Sequence, residues 1–237
     1  MASVKELRDI LDGMVNQHYE SPEMKRFFAF TMTLAKGRVL FLHQFHFNMN
    51  RRDCWGYVQG SCPPEIKRLI WEHESVELVA DPNIPGGSHY TASLAKATKL
   101  TGLGKEALYQ AELIPGCLAA FYGWLHVAKN SPWLKALFAS SILERANNNE
   151  IVKDGGVSVR EYRRYSSELR NVLKDISGHD VHNFEDKEHS DMMEEVLDRY
   201  ATGEEAQRQV LEGARDSLAM DRAFRGSLGV VLEQIGE

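Results

Sequence analysis

Two histidines and one aspartate late in the chain have the spacing of metal ligands on one helix face. His182, Asp186 and His189 stand at positions i, i+4 and i+7, and at about 100° per residue these side chains fall in one narrow stripe. Two imidazoles with one carboxylate form a ligand set typical of iron or manganese, including iron sites that react with O2. The spacing predicts half of a metal site. The competing interpretation is a solvated polar face, because the same stretch is rich in other acidic residues.

Carboxylates and one histidine elsewhere in the chain are candidates for the other half of this site. Glu77 lies near the end of a predicted helix, and Glu74 lies one turn earlier on the same face. His89 follows a loop rich in proline and glycine, which lets the chain fold back towards Glu77. Glu144 has apolar neighbours, and a buried carboxylate must be paired, protonated or metal-bound. A surface ion pair is the competing interpretation for Glu144.

Helices must position these groups, because strand-like alternation is scarce in the sequence. Ser3 and Glu6 form a capping-box pattern, and prolines stand at several predicted first turns, where the missing N–H costs nothing. We expect an all-α fold, one domain over 1–237, with about seven or eight helices. The predicted helices are Val4–Val15, Ser21–Asn48, Pro64–Ala80, Thr91–Thr101, Lys105–Glu112, Pro115–Ala128, Pro132–Asn148, Ser158–Leu173, Val181–Ala201 and Glu204–Glu233.

Composition excludes several classes of function. The 237 residues carry a net charge of −6 with no basic stripe, which argues against nucleic acid as a partner. No apolar run is long enough for a membrane span, and the first residues lack the apolar core of a signal peptide. The three cysteines form no CxxC pair, which is typical of reduced thiols. We therefore expect a cytoplasmic protein with no membrane partner.

The order of these groups resembles that of the haem-oxygenase-like diiron oxidases. In that pattern a glutamate, a histidine after a loop and a glutamate on a later helix precede His-x-x-x-Asp-x-x-His. The loop between the first two is longer here than in many members, which leaves Glu74 open as an alternative to Glu77. The runs 50–55 and 214–225 also resemble one subgroup of these proteins. The ligands that the resemblance implies are Glu77, His89, Glu144, His182, Asp186 and His189.

The resemblance also implies an activity. Similar proteins are helical bundles that hold two iron(II) ions and use O2 to oxidise a small molecule. Their reactions include N-oxygenation, oxidative C–C cleavage and, in one member, conversion of a tryptophan derivative to a nitrile. We therefore expect a small, amino-acid-like substrate, and a homodimer is one possible assembly. Candidate substrate-binding residues are Arg51, Arg52, His46 and Tyr122. An arginine can bind a carboxylate with two hydrogen bonds, and helix-end pairing is the competing interpretation for both arginines. Aromatic residues can line a pocket, and core packing is the competing interpretation for them.

Cys117 supports a rival hypothesis. It follows Ile114-Pro115-Gly116 at a predicted helix start, similar in outline to thiaminase-like hydrolases that use a cysteine nucleophile, and a thiol at such a position has a lowered pKa. A metal-free cofactor-synthesising oxidase and a non-catalytic binding bundle are further alternatives. True haem oxygenase is disfavoured, since no single proximal histidine stands out near the N-terminus. His73 is predicted to lie on the surface.

Overall fold

A computed structural model describes residues 2–84, 86–176 and 193–236 of the chain. Within these residues the fold is all-helical, and the one β-type contact is an isolated bridge between Met32 and Tyr165. The helices are α1 Val4–Tyr19, α2 Pro22–Phe28, α3 Leu34–Ser61, α4 Pro64–Leu78, α5 His89–Thr101, α6 Lys105–Tyr109, α7 Pro115–Asn130, α8 Trp133–Asn147, α9 Val157–Arg163, α10 Ser167–Leu173, α11 over 193–200 and α12 Glu204–Gln234.

Twelve helices in the described ranges exceed the seven or eight expected, so that expectation was wrong. Two predicted long helices are each broken in two. The Thr33 hydroxyl accepts from the backbone N–H of Lys36 at the start of α3, and the Ser166 hydroxyl accepts from that of Leu169 at the start of α10. Such caps favour a new helix start over a continuous helix.

The two breaks are paired with each other. The backbone N–H of Met32 donates to the carbonyl of Arg164 at 2.8 Å, and the N–H of Ser166 donates to the carbonyl of Met32 at 3.0 Å. Backbone groups that leave a helix must find other partners when they are buried. Each interruption therefore supplies the partners that the other needs.

The long helix α12 runs through the centre of the packing and contacts α1, α2, α7 and α8. Its approach to α8 is very close: a Cβ atom added at Gly213 would lie 2.2 Å from the carbonyl oxygen of Lys135. Glycine is required there because only a residue without a side chain lets the two backbones meet. The main apolar core collects residues from Leu7 on α1 to Leu232 on α12.

The described helices include none that combines the length and apolar character needed to cross a lipid bilayer.

Candidate metal centre

A polar cavity lies among α3, α4, α5, α8 and α12. Its volume is about 80 Å³, and three arginines and three carboxylates contribute to its wall. An unbalanced charge in such a place is expensive, so each charged group must be paired. The lining residues are Phe47, Asn48, Arg51, Arg52, Glu77, His89, Leu143, Glu144, Ala146, Asn147, Val157, Asp221 and Arg225.

Glu77 at the end of α4 and His89 at the start of α5 face each other in this cavity. Glu77 Oε1 and His89 Nδ1 are 3.6 Å apart, which is longer than a hydrogen bond. The other ring nitrogen, Nε2, lies 2.8 Å from Oδ2 of the buried Asp81. When His89 is neutral and its Nε2 proton is donated to Asp81, the Nδ1 lone pair is left on the side of Glu77. A carboxylate that fixes the tautomer in this way is the usual partner of a metal-binding histidine.

The loop between α4 and α5 holds Asp81 in place. Asp81 Oδ1 accepts from the backbone N–H of Asn83 at 2.7 Å, and the Asp81 backbone N–H donates to the carbonyl of Gly87 at 2.9 Å. Both carboxylate oxygens therefore have assigned donors, one from the loop and one from His89. Ser88 then caps α5 by accepting from the backbone N–H of Thr91. The loop fixes the His89 ring through its own hydrogen bonds.

Arg52 of α3 bridges the two acidic candidates on α4. Its Nη1 lies 2.7 Å from Glu77 Oε2 and 3.2 Å from Glu74 Oε1. Burial alone would raise the pKa of Glu77, but the electrostatic effect of Arg52 in the first place, and then of the neighbouring His89 and His73, holds that pKa at about 2. Glu77 is thus an anion at neutral pH. Oε2 of Glu77 forms the ion pair with Arg52, while Oε1 of Glu77 lies nearer His89. Glu74 does not line the cavity.

Glu144 of α8 meets the neighbouring arginine of α3. Arg51 Nη2 donates to Glu144 Oε1 at 2.7 Å, and both side chains are buried. His73 also reaches this group, with Nε2 3.9 Å from Glu144 Oε1, and its Nδ1 lies 3.0 Å from Glu74 Oε1. His73 is only 4% exposed, so the prediction that it lies on the surface was wrong. The ring packs against buried Trp55 at 5.0 Å between centroids.

The wall opposite these groups is a second ion-pair network on α12. Arg225 Nε donates to both Asp221 oxygens at 3.0 Å, and Arg225 Nη1 donates to Glu161 at 3.0 Å. His18 of α1 completes the network through Nε2, 3.0 Å from Asp221 Oδ2. Burial would raise the pKa of Asp221, but Arg225 and the hydrogen bond from His18 lower it overall. This pair is therefore charged at neutral pH.

The structure brings together some of the predicted site residues and leaves others apart. Glu77, His89, Glu144, Arg51 and Arg52 line the cavity. His46 does not, because its Nε2 lies 2.8 Å from the carbonyl oxygen of Leu108. Tyr122 is 64% exposed and also lies outside the lining. His182, Asp186 and His189 lie outside the described residues.

Cys117 lies in the core rather than at an accessible helix start. It is fully buried, its Sγ lies 3.6 Å from the carbonyl oxygen of Phe224, and burial raises its pKa to about 12. A thiol in that environment is neutral at physiological pH and inaccessible to solvent.

The side chains around Glu77 and Glu144 fit a bound cation. First-row metal ions bind nitrogen and oxygen donors at about 2.0–2.2 Å, so two donors to one ion lie at most about 4 Å apart; the Glu77–His89 distance meets this limit. Apart from the Asp221–Arg225 pair, this side of the cavity and the residues directly behind it hold two arginines, Arg51 and Arg52. The carboxylates on the same side outnumber them; they are Glu74, Glu77, Asp81 and Glu144. Among the described residues no three His, Cys, Asp or Glu side chains form a complete metal-binding cluster. The remaining predicted ligands lie outside those residues.

Sequence reasoning missed Asp81 and the α12 pair. Asp81 precedes His89 by eight residues across a loop, and no periodicity relates two such positions. Asp221 and Arg225 are spaced i, i+4 on one helix, which is the signal that indicates an ion pair. The pair is buried by contacts with His18 of α1 and Glu161 of α9, and both residues are far from α12 in the sequence.

Comparisons with known proteins show the fold. The chain is similar to a domain of unknown function with a heme oxygenase-like fold from Shewanella denitrificans OS217, at 12% identity, with 98% of this chain and 94% of that chain covered and a TM-score of 0.67. It is also similar to a TenA homologue protein from P. horikoshii OT3, at 15% identity, with coverage of 94% and 98% and a TM-score of 0.52. No family model and no curated protein matches. The expected haem-oxygenase-like, all-helical fold is therefore confirmed, and identities this low show nothing finer.

Proposed function

We propose that this protein is a non-haem diiron oxidase or oxygenase that uses O2 on a small, amino-acid-like molecule. The observation that carries the proposal is the unit of Glu77, His89 and Asp81, in which an ionised carboxylate faces a histidine whose tautomer is fixed from behind. The resemblance of the sequence to diiron oxidases adds the reaction classes: N-oxygenation, oxidative C–C cleavage or nitrile formation, including action on a tryptophan derivative.

The residues have distinct roles in this proposal. Glu77, His89 and Glu144 hold iron from the α4, α5 and α8 side, with His182, Asp186 and His189 from the other half. Two bound iron(II) ions would supply electrons to O2 and hold substrate beside it. Asp81 keeps Nδ1 of His89 free of its proton, so that the ring enters the site as a neutral donor.

Arg51 and Arg52 have a different role from the one first expected of them. Both guanidinium groups are committed to the candidate ligands Glu144 and Glu77. They orient those carboxylates and offset part of the negative charge while no cation is bound. Their adjacent positions on α3 direct them about 100° apart, one towards α8 and one towards α4.

A hydrolase that uses Cys117 is the second candidate, since a TenA homologue shares the fold. The burial and raised pKa of Cys117 weigh against a nucleophilic role. Metal-free oxidation and non-catalytic binding are the remaining alternatives, and neither needs iron. We further propose a homodimer in the cytoplasm; the three cysteines are all free thiols, which agrees with a reducing compartment.

Iron counting separates these possibilities. Protein loaded with iron(II) under anaerobic conditions and freed of excess metal should retain about two irons per chain, as expected for a dinuclear site. Exposure to O2 with a panel of amino acids should then give consumption of O2 coupled to product. Folded protein that retains no iron would rule out the diiron proposal and favour the metal-free alternatives.

A further inference from the structure

The Asp221–Arg225 pair on α12 lines the cavity but has no role in the metal site. Both residues are buried, at 1% and 6% exposure. Replacing such a pair by apolar residues is often neutral or stabilising, so a buried ion pair is weak evidence of a purely structural role. Its position in the wall shared with Glu77 and Glu144 suggests a role towards what enters the cavity.

The hydrogen bonds of Arg225 leave part of its guanidinium group available. Nε is used by Asp221 and Nη1 by Glu161. Among the described residues, none accepts from Nη2, and Arg225 is part of the cavity wall. An arginine held on two sides by carboxylates is rigid, and a rigid donor loses little entropy when it binds an anion.

The other two arginines of the cavity are less suited to this task. Arg51 donates a hydrogen bond to Glu144, and Arg52 forms an ion pair with Glu77; the proposed function uses both carboxylates as ligands. A substrate that took these guanidinium groups would have to break those pairs. Arg225 holds no proposed ligand, so binding an anion at Nη2 leaves the metal site undisturbed.

We infer that Arg225 binds the carboxylate of a small carboxylic acid, such as an amino acid, through Nη2, with Asp221, Glu161 and His18 holding it in position. The cavity of about 80 Å³ is roughly half the size of one that accepts benzene, so it fits the head group rather than a whole aromatic side chain. This inference rests on the proposed function for its substrate class, but not for the binding event itself.

Binding measurements test the inference without turnover. The probes are L-alanine, L-leucine and L-tryptophan, each with its primary amide, titrated calorimetrically at millimolar concentrations into iron(II)-loaded anaerobic protein and into metal-free protein. The amides keep the size and the ammonium group but lose the negative charge. For at least one pair we expect the acid to bind roughly tenfold or more tightly than the amide, as a charge-assisted hydrogen bond implies.

The variant Arg225→Lys keeps the charge but removes the fork that reaches both Asp221 and the cavity. We expect it to lose roughly tenfold in affinity for the acid and little for the amide. Arg145→Lys is the matched control, because Arg145 is equally buried and pairs with Asp12 and Glu194 away from the cavity lining. The control should bind the acid as the wild type does.

Two results would overturn the inference: equal binding of acid and amide by wild-type protein, including no binding of either, or equal loss of both in Arg225→Lys. The comparison of acid and amide needs no variant, so it decides the matter even where Arg225→Lys fails to fold. Failure of the proposed function looks different. Protein that retains no iron and still prefers the acid through Arg225 would support the carboxylate site and reject the diiron centre.

Discussion

The replacement of Asp81 by asparagine tests the metal centre at a residue that binds no metal in our proposal. Asp81 uses Oδ2 for His89 and Oδ1 for the backbone N–H of Asn83. An asparagine has one accepting oxygen and one NH2 group, so it can serve only one of these two donors. Either the loop loses its hydrogen bond or His89 loses the partner that fixes its tautomer. In both cases the ring of His89, the proposed metal ligand, is held less firmly in position.

The size of the effect follows from this geometry. Loss of the carboxylate behind a metal-binding histidine typically lowers metal affinity by about 10–100-fold, which is about 1.4–2.7 kcal/mol. A hydrogen bond to a charged group contributes roughly 1.5–3 kcal/mol to stability, which agrees with that range. The pair needs no allowance for solvent screening, because the Asp81 side chain is fully buried. We expect the first iron(II) to bind at least about tenfold more weakly.

The assay is an anaerobic iron(II) titration with a competing chelator, run beside a thermal unfolding curve. Asp216→Asn is the matched control. Asp216 of α12 pairs with Lys135 of α8, its side chain is 40% exposed, and it does not line the cavity. Folded Asp81→Asn protein whose iron affinity lies within about twofold of the wild type would refute the assigned role of Asp81.

Four further predictions concern the ligands, the thiol and the α12 network. Glu144→Gln should fold and retain about one iron rather than two, measured by elemental analysis; two irons with normal turnover would place the second half of the site elsewhere. His189→Ala should abolish substrate-coupled O2 consumption, measured with an oxygen electrode, and unchanged consumption would remove it from the ligand set. Cys117→Ala should keep most activity, and the native thiol should react slowly with iodoacetamide at neutral pH because its pKa is about 12; loss of turnover would favour the hydrolase alternative. Asp221→Asn should destabilise the fold by roughly 3 kcal/mol, because Arg225 loses one of its two carboxylate partners and keeps only Glu161. The pKa of Asp221 is lowered in the folded state, so the wild-type advantage should be present above the usual pKa of an aspartate and disappear as the pH falls through the lowered pKa. Chemical unfolding curves that show equal stability of the two proteins at neutral pH would contradict this.

Local signals in the sequence predicted most of the helices. Ser3 does cap α1 in a capping box with Glu6, as the pattern indicates, and Pro22, Pro64 and Pro115 stand in first turns. The helix breaks before α3 and α10 were missed, because polar and apolar residues continue through both regions with helical spacing. Besides the caps Thr33 and Ser166, hydrogen bonds between the two breaks stabilise them, and that contact joins distant parts of the chain.

The sequence likewise predicted part of the candidate site and missed the rest. The spacing of Glu77 and His89 around a loop was enough to expect them near each other. His73 was expected on the surface because its helical spacing turns it away from Glu74 and Glu77, yet Trp55 and Glu144 from other helices cover it. Burial of a polar residue is decided by what packs against it, and a single sequence does not specify those neighbours.

The position of α12 in the fold has a consequence for the order of folding. This helix of 31 residues supplies Asp221 and Arg225 to the cavity. The side chain of Gln207 exchanges hydrogen bonds with the backbone of Ala2 across a separation of 205 residues. His18 meets Asp221 across 203 residues.

Contacts between residues so far apart in the sequence close large loops and slow folding. During synthesis the earlier helices emerge before α12, so their faces that pack on it stay exposed until it is made. A nascent chain therefore displays Glu77 and Glu144 before the opposite wall exists. Selectivity for the molecule that enters the cavity begins only when α12 has docked and Arg225 lines the wall. Before that, we expect the earlier helices to bind cations through their carboxylates but not to distinguish a carboxylic acid from its amide.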